Sequence, residues 1–269
     1  MPISLTEAAC NVLNEPIPER KVRLTRDYCR AWRSGLIRDI GSCLPPSQPG
    51  RPAKPELKSP RDMPKRRATG IAGRIAFVHA ITHIEFNAIN LAWDMVARFT
   101  VDNLPWEFYD DWVGIALDEA EHFHMLAARL SELGSFYGQL AAHDGLWDAA
   151  RTTDDDVLAR LAIVPMTLEA RGLDTTPAAI TRLNQAGDPE SAAILQRIAT
   201  EEIPHVTAGV RWFEYVCQQR KLDPVLSYRT FIRTRFGGTL KPPFNRTARS
   251  QAGMNIAYYD GYDGFHDGD

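Results

Sequence analysis

Apolar residues recur at every third or fourth position along four long stretches of the chain, a period that predicts amphipathic helices. The stretches are about 70–100, 105–133, 154–171 and 189–219. The second is predicted to stop at Gly134, while Asp188 and Pro189 provide an N-terminal cap and a first turn for the fourth. The third is predicted to break at the GLDTTP segment, 172–177, and to continue as a short helix at about 177–186.

Shorter predicted elements flank these four helices. Two helices lie within 4–40, the first opened by a capping box of Ser4 and Glu7, and another helix spans about 224–236. The pattern predicts an all-α fold, a four-helix bundle with a long crossover at 135–153. The chain is predicted to divide into four segments. N-terminal helices at 1–43 pack on the bundle, and a proline-rich basic strap follows at 44–69. The bundle with its additional C-terminal helix spans 70–236, and an irregular tail at 237–269 has an end expected to be mobile.

Each of the four long stretches carries a glutamate within its apolar stripe, and two of these glutamates are followed by a histidine three residues later. The set in chain order is Glu85, Glu119 with His122, Glu169, and Glu202 with His205. The interval from Glu85 to Glu119 is 34 residues, and that from Glu169 to Glu202 is 33. Residues three apart share one helix face, so a carboxylate and an imidazole can reach a common ion. This order predicts a carboxylate-bridged two-metal site in the bundle core.

The residue types indicate which metal such a site would take. Four carboxylates and two imidazoles suit two iron ions best, with manganese as the alternative. A solvated helix face also explains any single Glu-x-x-His, and a single buried glutamate can simply hold a salt bridge. Glu121 and His124 have the same spacing and form a rival ligand pair. Phe123 and Leu126 extend the apolar stripe of the first pair and favour it.

Four segments carry a family resemblance: HIEFNAINLAWD, DEAEHFHML, LEARGLD and EEIPHVTAGVRWF. They resemble a ferritin-like family of bacterial proteins of unknown function, within the di-iron carboxylate superfamily. The resemblance runs from about residue 5 to 255 and implies a ferritin-like bundle with the same six ligands. DEAEH is also similar to the Asp-Glu-x-x-His signature of di-iron monooxygenases, which implies that Asp118 supports the metal-bound histidine, with Glu201 in the corresponding second position. Pro204 departs from that pattern and is expected to kink the helix, open a bulge beside the metals or tilt His205.

Composition narrows the cellular setting. A chain of 269 residues can bury a large core, and a net charge of −3 does not indicate a partner. The four cysteines show no paired metal-ligand spacing, which predicts a reduced, cytoplasmic protein. The N-terminus lacks the apolar core of a signal peptide, and no run reaches membrane-spanning length, so no membrane partner is expected.

Within 51–67, seven basic and two acidic residues give a local net charge of +5.

The predicted function is that of a non-haem di-iron oxidase or hydroxylase, which requires dioxygen, a small-molecule substrate and an electron donor. Small residues at Ala88, Ala116, Ala199 and Gly209 are expected to leave room for a substrate cavity beside the metals. No catalytic residue beyond the metal ligands is required. The alternatives are an iron-handling ferroxidase-type protein, a purely structural metal site, and a hydroxylase of transfer RNA or nucleotides that binds RNA through the basic strap at 51–67.

Overall fold

The computed structural model describes residues 3–63, 70–237 and 239–261. Helix is the main element of these residues and strand is almost absent, which confirms the predicted all-α bundle class. The helices are α1 Leu5–Asn14, α2 Pro18–Arg33, α3 Gly70–Arg98, α4 Trp106–Glu132, α5 Gly145–Arg151, α6 Val157–Ile163, α7 Ala170–Gln185, α8 Pro189–Arg220, α9 Pro224–Phe231 and α10 Arg246–Gln251. Shorter elements are the strands β1 Leu57–Lys58 and β2 Ala142–His143, the 3₁₀ turns Pro60–Asp62, Thr100–Asp102 and Ile256–Tyr258, and the π-helical segments Val164–Glu169 and Ile232–Phe236. Within the described ranges, every helix is too short or too polar to span a lipid bilayer.

The chain divides into two compact units, Met1–Asp148 and Ala149–Asp269. In the first unit, α3 and α4 follow one another after a short connection and pack together as a helical hairpin. Helix α1 packs on α3, and α2 packs on α4. Both long helices begin and end within a few residues of the positions that the apolar pattern predicts.

The N-terminal helices are fixed by a local cap and by one buried lysine. The predicted capping box is present: Ser4 Oγ accepts from Glu7 N at 3.3 Å, and Glu7 Oε2 accepts from Ser4 N at 2.8 Å. Lys21 on α2 is fully buried and donates to Val12 O at 2.7 Å and to Asn90 Oδ1 at 2.6 Å. One ammonium group therefore ties the C-terminal turn of α1 to the middle of α3.

The described part of the basic strap contains no long helix, as the prolines predict. Its strand β1 pairs in parallel with β2 of the crossover, placing Leu57 opposite Ala142 and Lys58 opposite His143. Three of the basic residues assigned to the strap, Lys65, Arg66 and Arg67, lie outside the described residues.

In the second unit, the third long stretch forms one continuous run of helix from α6 through a π-helical segment into α7. The predicted break over 172–177 is wrong, because α7 passes through it with Pro177 inside the helix. A proline cannot donate to the carbonyl four residues earlier. Here that carbonyl, Leu173 O, accepts instead from Asn245 Nδ2 at 3.1 Å. The lost helical bond is thus replaced by a side chain from the tail.

The irregularity of this run lies earlier, in the π-helical segment Val164–Glu169. A π turn holds about one residue more than an α turn and is frequent at functional sites. Pro165 is the second residue of the segment and removes one N–H from the helical ladder. The hydroxyls of Thr167 and Tyr228 hydrogen-bond at 2.8 Å within the fold and fix this wide turn.

Helix α8 begins as predicted, with Asp188 Oδ1 accepting from Ser191 N at 3.1 Å and Pro189 in the first turn. It continues as α-helix through Pro204 to Arg220, so the bulge expected at Pro204 is not formed.

The tail is more ordered than the sequence indicates. It contains α10, which is held to α7 by a buried ion pair between Asp174 and Arg249, with Nη2 to Oδ2 at 2.8 Å and Nε to Oδ1 at 2.9 Å. Met254 in this tail is only 2% exposed. The last predicted segment, 262–269 with His266, lies outside the described residues.

Candidate metal centre

The first unit brings three of the predicted ligands together on the facing helices α3 and α4. His122 Nδ1 lies 3.3 Å from Glu85 Oε2 and 3.4 Å from Glu119 Oε2. One potential ligand atom from each of the three side chains lies within 4.8 Å of the others. Ligands bound to one ion at about 2.1 Å lie at most about 4.2 Å apart, so the group needs only small movements to hold a metal.

These three side chains are removed from water. The exposed fractions are 4% for Glu85, 1% for Glu119 and zero for His122. Burial by itself lowers the pKa of His122, but hydrogen bonds to the two carboxylates and their negative charges outweigh it and raise the pKa to about 11. The metal-free protein therefore holds an imidazolium between two carboxylates, and a metal ion would replace its proton.

Apolar residues at helical spacing surround the group, as the stripe pattern predicts. Ile89 on α3 and Ala116 on α4 are fully buried, and Phe123 and Leu126 are 3% and 1% exposed. The rings of Phe86 and Phe123 pack with their centroids 5.5 Å apart across the helical hairpin. The carboxylates thus lie in an apolar environment, in which ionised groups are costly unless they are paired or bound to metal.

The second unit contains the other three predicted ligands on the π segment and on α8. His205 Nδ1 lies 3.5 Å from Glu202 Oε2, and the two side chains are 1% and 12% exposed. This Glu-x-x-His pair repeats the 3.4 Å approach of Glu119 to His122. Glu169 is the last residue of the π segment and is half-buried.

Gly209 shows that one of the expected cavity positions is filled. A Cβ on Gly209 would come within 2.5 Å of Pro165 Cβ and 2.8 Å of its Cγ. The missing side chain therefore lets α8 approach the π segment that ends at Glu169, rather than leaving room for a substrate.

Neither residue of the rival ligand pair is buried. Glu121 receives two hydrogen bonds from Arg26, Nε to Oε1 at 2.6 Å and Nη2 to Oε2 at 2.8 Å. His124 is exposed to solvent. Glu121 and His124 thus lie on the outer side of α4, with the acid engaged by α2, whereas Glu119 and His122 are buried.

The two proposed supporting acids differ from the ligands in their burial. Glu201 forms an ion pair with Arg197 at 3.0 Å, with its side chain 32% exposed. Asp118 is half-buried on α4. The pairing of Glu201 with a residue one turn earlier on α8 directs it along the helix surface.

A second buried polar network on α3 was not predicted from the sequence. His83 Nδ1 hydrogen-bonds to Tyr137 Oη at 2.9 Å, and its Nε2 lies 3.1 Å from His143 O. Burial lowers the pKa of His83 to about 4, so this imidazole is neutral. Arg51 of the strap reaches the same region and binds Asn87 Oδ1 at 3.1 Å. In the sequence, the only signal for this network is that polar residues of α3 such as His83 and Asn87 lie on a different helix face from Glu85.

Arg51 also forms an ion pair with Asp144, with its Nη2 2.5 Å from Oδ1, and its side chain is only 15% exposed. It therefore joins the strap to the crossover. Lys54 and Arg61, by contrast, are exposed.

Comparison with known proteins gives a family without an assigned activity. A family model described as "Protein of unknown function (DUF455)" matches residues 14–260. An uncharacterized protein of Haemophilus influenzae is 39% identical over 209 residues, which cover 76% of this chain and 72% of that relative. No solved structure matches the chain. These findings agree with the expected relation to a family of unknown function, and they make no ferritin-like assignment.

Proposed function

The chain belongs to this DUF455 family of unknown function, and we propose that it is a non-haem di-iron oxidoreductase that uses dioxygen to oxidise or hydroxylate a small molecule. The proposed ligands are the carboxylates and imidazoles of both units, Glu85, Glu119, His122, Glu169, Glu202 and His205. Iron is the expected metal and manganese the alternative, because oxygen-rich ligation with one nitrogen per ion suits both.

The observation that carries the proposal is the convergence of Glu85 and Glu119 on one ring nitrogen of a fully buried His122. Of these three side chains only the imidazole can be positive, so with both acids ionised the group has a net negative charge. A buried negative charge is costly, and a bound divalent cation would balance it. The donor set therefore fits a metal by atom type, by spacing and by charge.

The proposal of two ions is supported by the second unit. Its Glu202 and His205 have the same sequence spacing and nearly the same approach as the first pair, at 3.5 Å and 3.4 Å. Its additional carboxylate, Glu169, is placed by a π-helical segment, an irregularity that has an energetic cost and is frequent at functional sites. The ligand order Glu, Glu-x-x-His, repeated once, is that of bundle proteins with two bridged metals.

When bound, a pair of iron ions would supply the redox chemistry with dioxygen that no protein side chain provides. The chain itself holds and orients the ions through its carboxylates and imidazoles. Its buried apolar side chains, including Ile89 and Phe123, exclude bulk water from the ligands of the first unit. An electron donor and a small organic substrate complete the proposed reaction.

The test is the reaction of the anaerobically iron-loaded protein with dioxygen, followed by absorption and Mössbauer spectroscopy. We expect rapid oxidation of two ferrous ions per chain to a coupled diferric centre, together with faster dioxygen consumption when a screened small molecule and a reductant are present. The Glu119→Gln variant should lose the coupled centre, whereas Glu121→Gln, altered two residues away on the outer side of α4, should retain it.

The outcomes separate the competing functions. Stoichiometric iron oxidation with no substrate-dependent turnover would favour the ferroxidase-type alternative. Substrate-dependent turnover with RNA, lost at high salt, would favour nucleic-acid modification through exposed strap residues such as Lys54 and Arg61. A loaded protein that does not react with dioxygen would contradict the oxidoreductase proposal.

A further inference from the structure

Two cysteines far apart in sequence lie beside each other in the first unit. Cys10 is on α1, and Cys43 lies in the irregular segment that follows α2. Both thiols approach the carbonyl of Leu44, with Sγ to O distances of 3.6 Å for Cys10 and 3.9 Å for Cys43. The Cys43 thiol also contributes to raising the pKa of Cys10, an effect that only a nearby thiol exerts. The sulfur atoms are therefore neighbours, although 33 residues separate them in the chain.

Backbone contacts hold the segment that carries Cys43 against α1. Leu5 N donates to Asp39 O at 2.8 Å, and Thr6 N donates to Ile40 O at 3.0 Å. These bonds satisfy two of the N–H groups that the first turn of a helix leaves without an intrahelical acceptor. Gly41 then lies so close to α1 that a Cβ on it would come within 2.5 Å of Ser4 Cβ. The thiol pair is thus part of a defined contact.

We propose that Cys10 and Cys43 are a redox-active thiol pair that a hydroperoxide converts reversibly into a disulfide. The contact geometry carries the proposal, because an attacking and a resolving sulfur that are already neighbours need little chain movement to form a bond. The proposal is independent of the metal centre and of the proposed oxidoreductase function.

The two thiols have different accessibilities, and this sets the order of the steps. Cys43 is half-buried and reachable from solvent, whereas Cys10 is only 5% exposed. Burial, with a contribution from the Cys43 thiol, raises the pKa of Cys10 to about 12. Since the thiolate is the nucleophile, Cys43 reacts first and Cys10 acts as the resolving thiol.

The reaction balances with hydrogen peroxide as the oxidant. The Cys43 thiolate attacks one peroxide oxygen, the O–O bond breaks, and the products are a sulfenic acid and a hydroxide that takes up a proton to become water. The Cys10 sulfur then displaces hydroxide from the sulfenic acid, and this hydroxide takes up the Cys10 thiol proton and leaves as a second water. Two thiols lose two electrons in total, and one peroxide gains them.

The other two cysteines provide internal controls. Cys29 is fully buried and donates to Val113 O at 3.2 Å. Cys217 is also fully buried. Neither thiol is accessible to peroxide in the folded protein, so both should remain reduced.

The experiment is peroxide titration of the metal-free full-length protein, followed by unfolding, alkylation of remaining thiols and mass spectrometry of intact chains and peptides. We expect two of the four thiols to be lost, a crosslinked peptide that joins Cys10 to Cys43, and full recovery with dithiothreitol. Cys43 should react at least about tenfold faster than Cys29, as its exposure requires. The matched control Cys29→Ala should behave like the wild type.

The variants give a second readout that does not depend on the disulfide. In Cys10→Ala, Cys43 should stop at a sulfenic acid that dimedone traps. In Cys43→Ala the three remaining thiols, including Cys10, should stay reduced. Circular dichroism establishes that each variant is folded. Three results would overturn the proposal. The peroxide-treated wild type could retain all four thiols, Cys43 could become a sulfinic acid while Cys10 is still alkylated, or a crosslink could form through another cysteine.

Discussion

Replacing Glu119 by glutamine removes one negative charge from the buried group while keeping the shape of the side chain. In the metal-free protein His122 still has Glu85 3.3 Å away, so one carboxylate remains to accept its proton. The remaining Glu85–His122 pair is neutral overall, so we expect the metal-free variant to fold, and its own metal-free Tm is the reference for its metal-dependent rise. The change should therefore act mainly on metal binding.

The expected size of the effect on thermal stability follows from the affinity of the protein for its metal. At a metal concentration of 100 times the dissociation constant, binding stabilises the folded wild type by about 2.7 kcal/mol. This corresponds to a rise in Tm of roughly 5–10 °C for a chain of this size. Loss of an outer partner of a ligand costs up to about 100-fold in affinity, and loss of a ligand itself costs at least as much. At the same metal concentration the variant would then keep only about 0.4 kcal/mol, or about 1 °C.

The assay is thermal unfolding of wild type, Glu119→Gln and Glu121→Gln, each with and without anaerobic Fe²⁺ and with Mn²⁺ in air. Glu121 is the matched control, because it lies two residues away and is paired with Arg26 outside the buried group. We expect the metal-dependent rise in Tm in the wild type and in Glu121→Gln alone. An equal rise in all three proteins would refute the assignment of Glu119, and loss of the rise in Glu121→Gln alone would support the rival pair.

Further predictions concern the contacts that position the helices, and urea unfolding followed by circular dichroism measures all of them. Asp174→Ala should lower the free energy of unfolding by about 3–5 kcal/mol, because it leaves Arg249, which is 2% exposed, without its bidentate carboxylate. Lys21→Met should cost about 2–3 kcal/mol, because three buried acceptors lose their donor. Gly209→Ala should cost about 1–3 kcal/mol and weaken metal binding, because its Cβ would collide with Pro165 and push α8 away from the π segment.

Controls for these variants come from neighbouring positions. Arg171→Ala should cost about 1–2 kcal/mol, less than Asp174→Ala, because its side chain is 40% exposed and its bonds to Lys241 O at 2.7 Å and Pro243 O at 3.0 Å are open to solvent. An Asp174→Ala variant as stable as Arg171→Ala would contradict the role given to the buried ion pair. A Gly209→Ala variant with unchanged stability would indicate open space at that position.

Helix positions could be predicted from the sequence where local signals are strong. The capping box at Ser4 and the Asp188–Pro189 start of α8 lie where composition places them, because a cap depends only on residues three or four apart. The predicted break in the third helix was wrong because it depends on a residue far away in the chain. Pro177 is tolerated inside α7 only because Asn245, 68 residues later in the chain, binds the carbonyl that the proline leaves without a donor.

In the candidate site too, local sequence patterns were predictive and contacts between distant segments were not. Helical periodicity placed Glu85, Glu119 and His122 on buried faces and Glu121 on another face. The pairing of Glu121 with Arg26 depends on the packing of α2 on α4, which periodicity does not predict. The π segment that ends at Glu169 was not predicted, since Pro165 marks an irregularity without fixing its type. Substrate choice depends on cavity shape, which the small residues in the sequence do not determine.

The most direct test of the account is the metal content of the full-length protein after anaerobic loading with Fe²⁺ and removal of unbound metal. The account predicts two iron ions per chain in the wild type and loss of bound iron in Glu119→Gln and in His205→Ala. A folded wild-type protein that retains no transition metal would contradict it, and so would variants that both bind as much iron as the wild type.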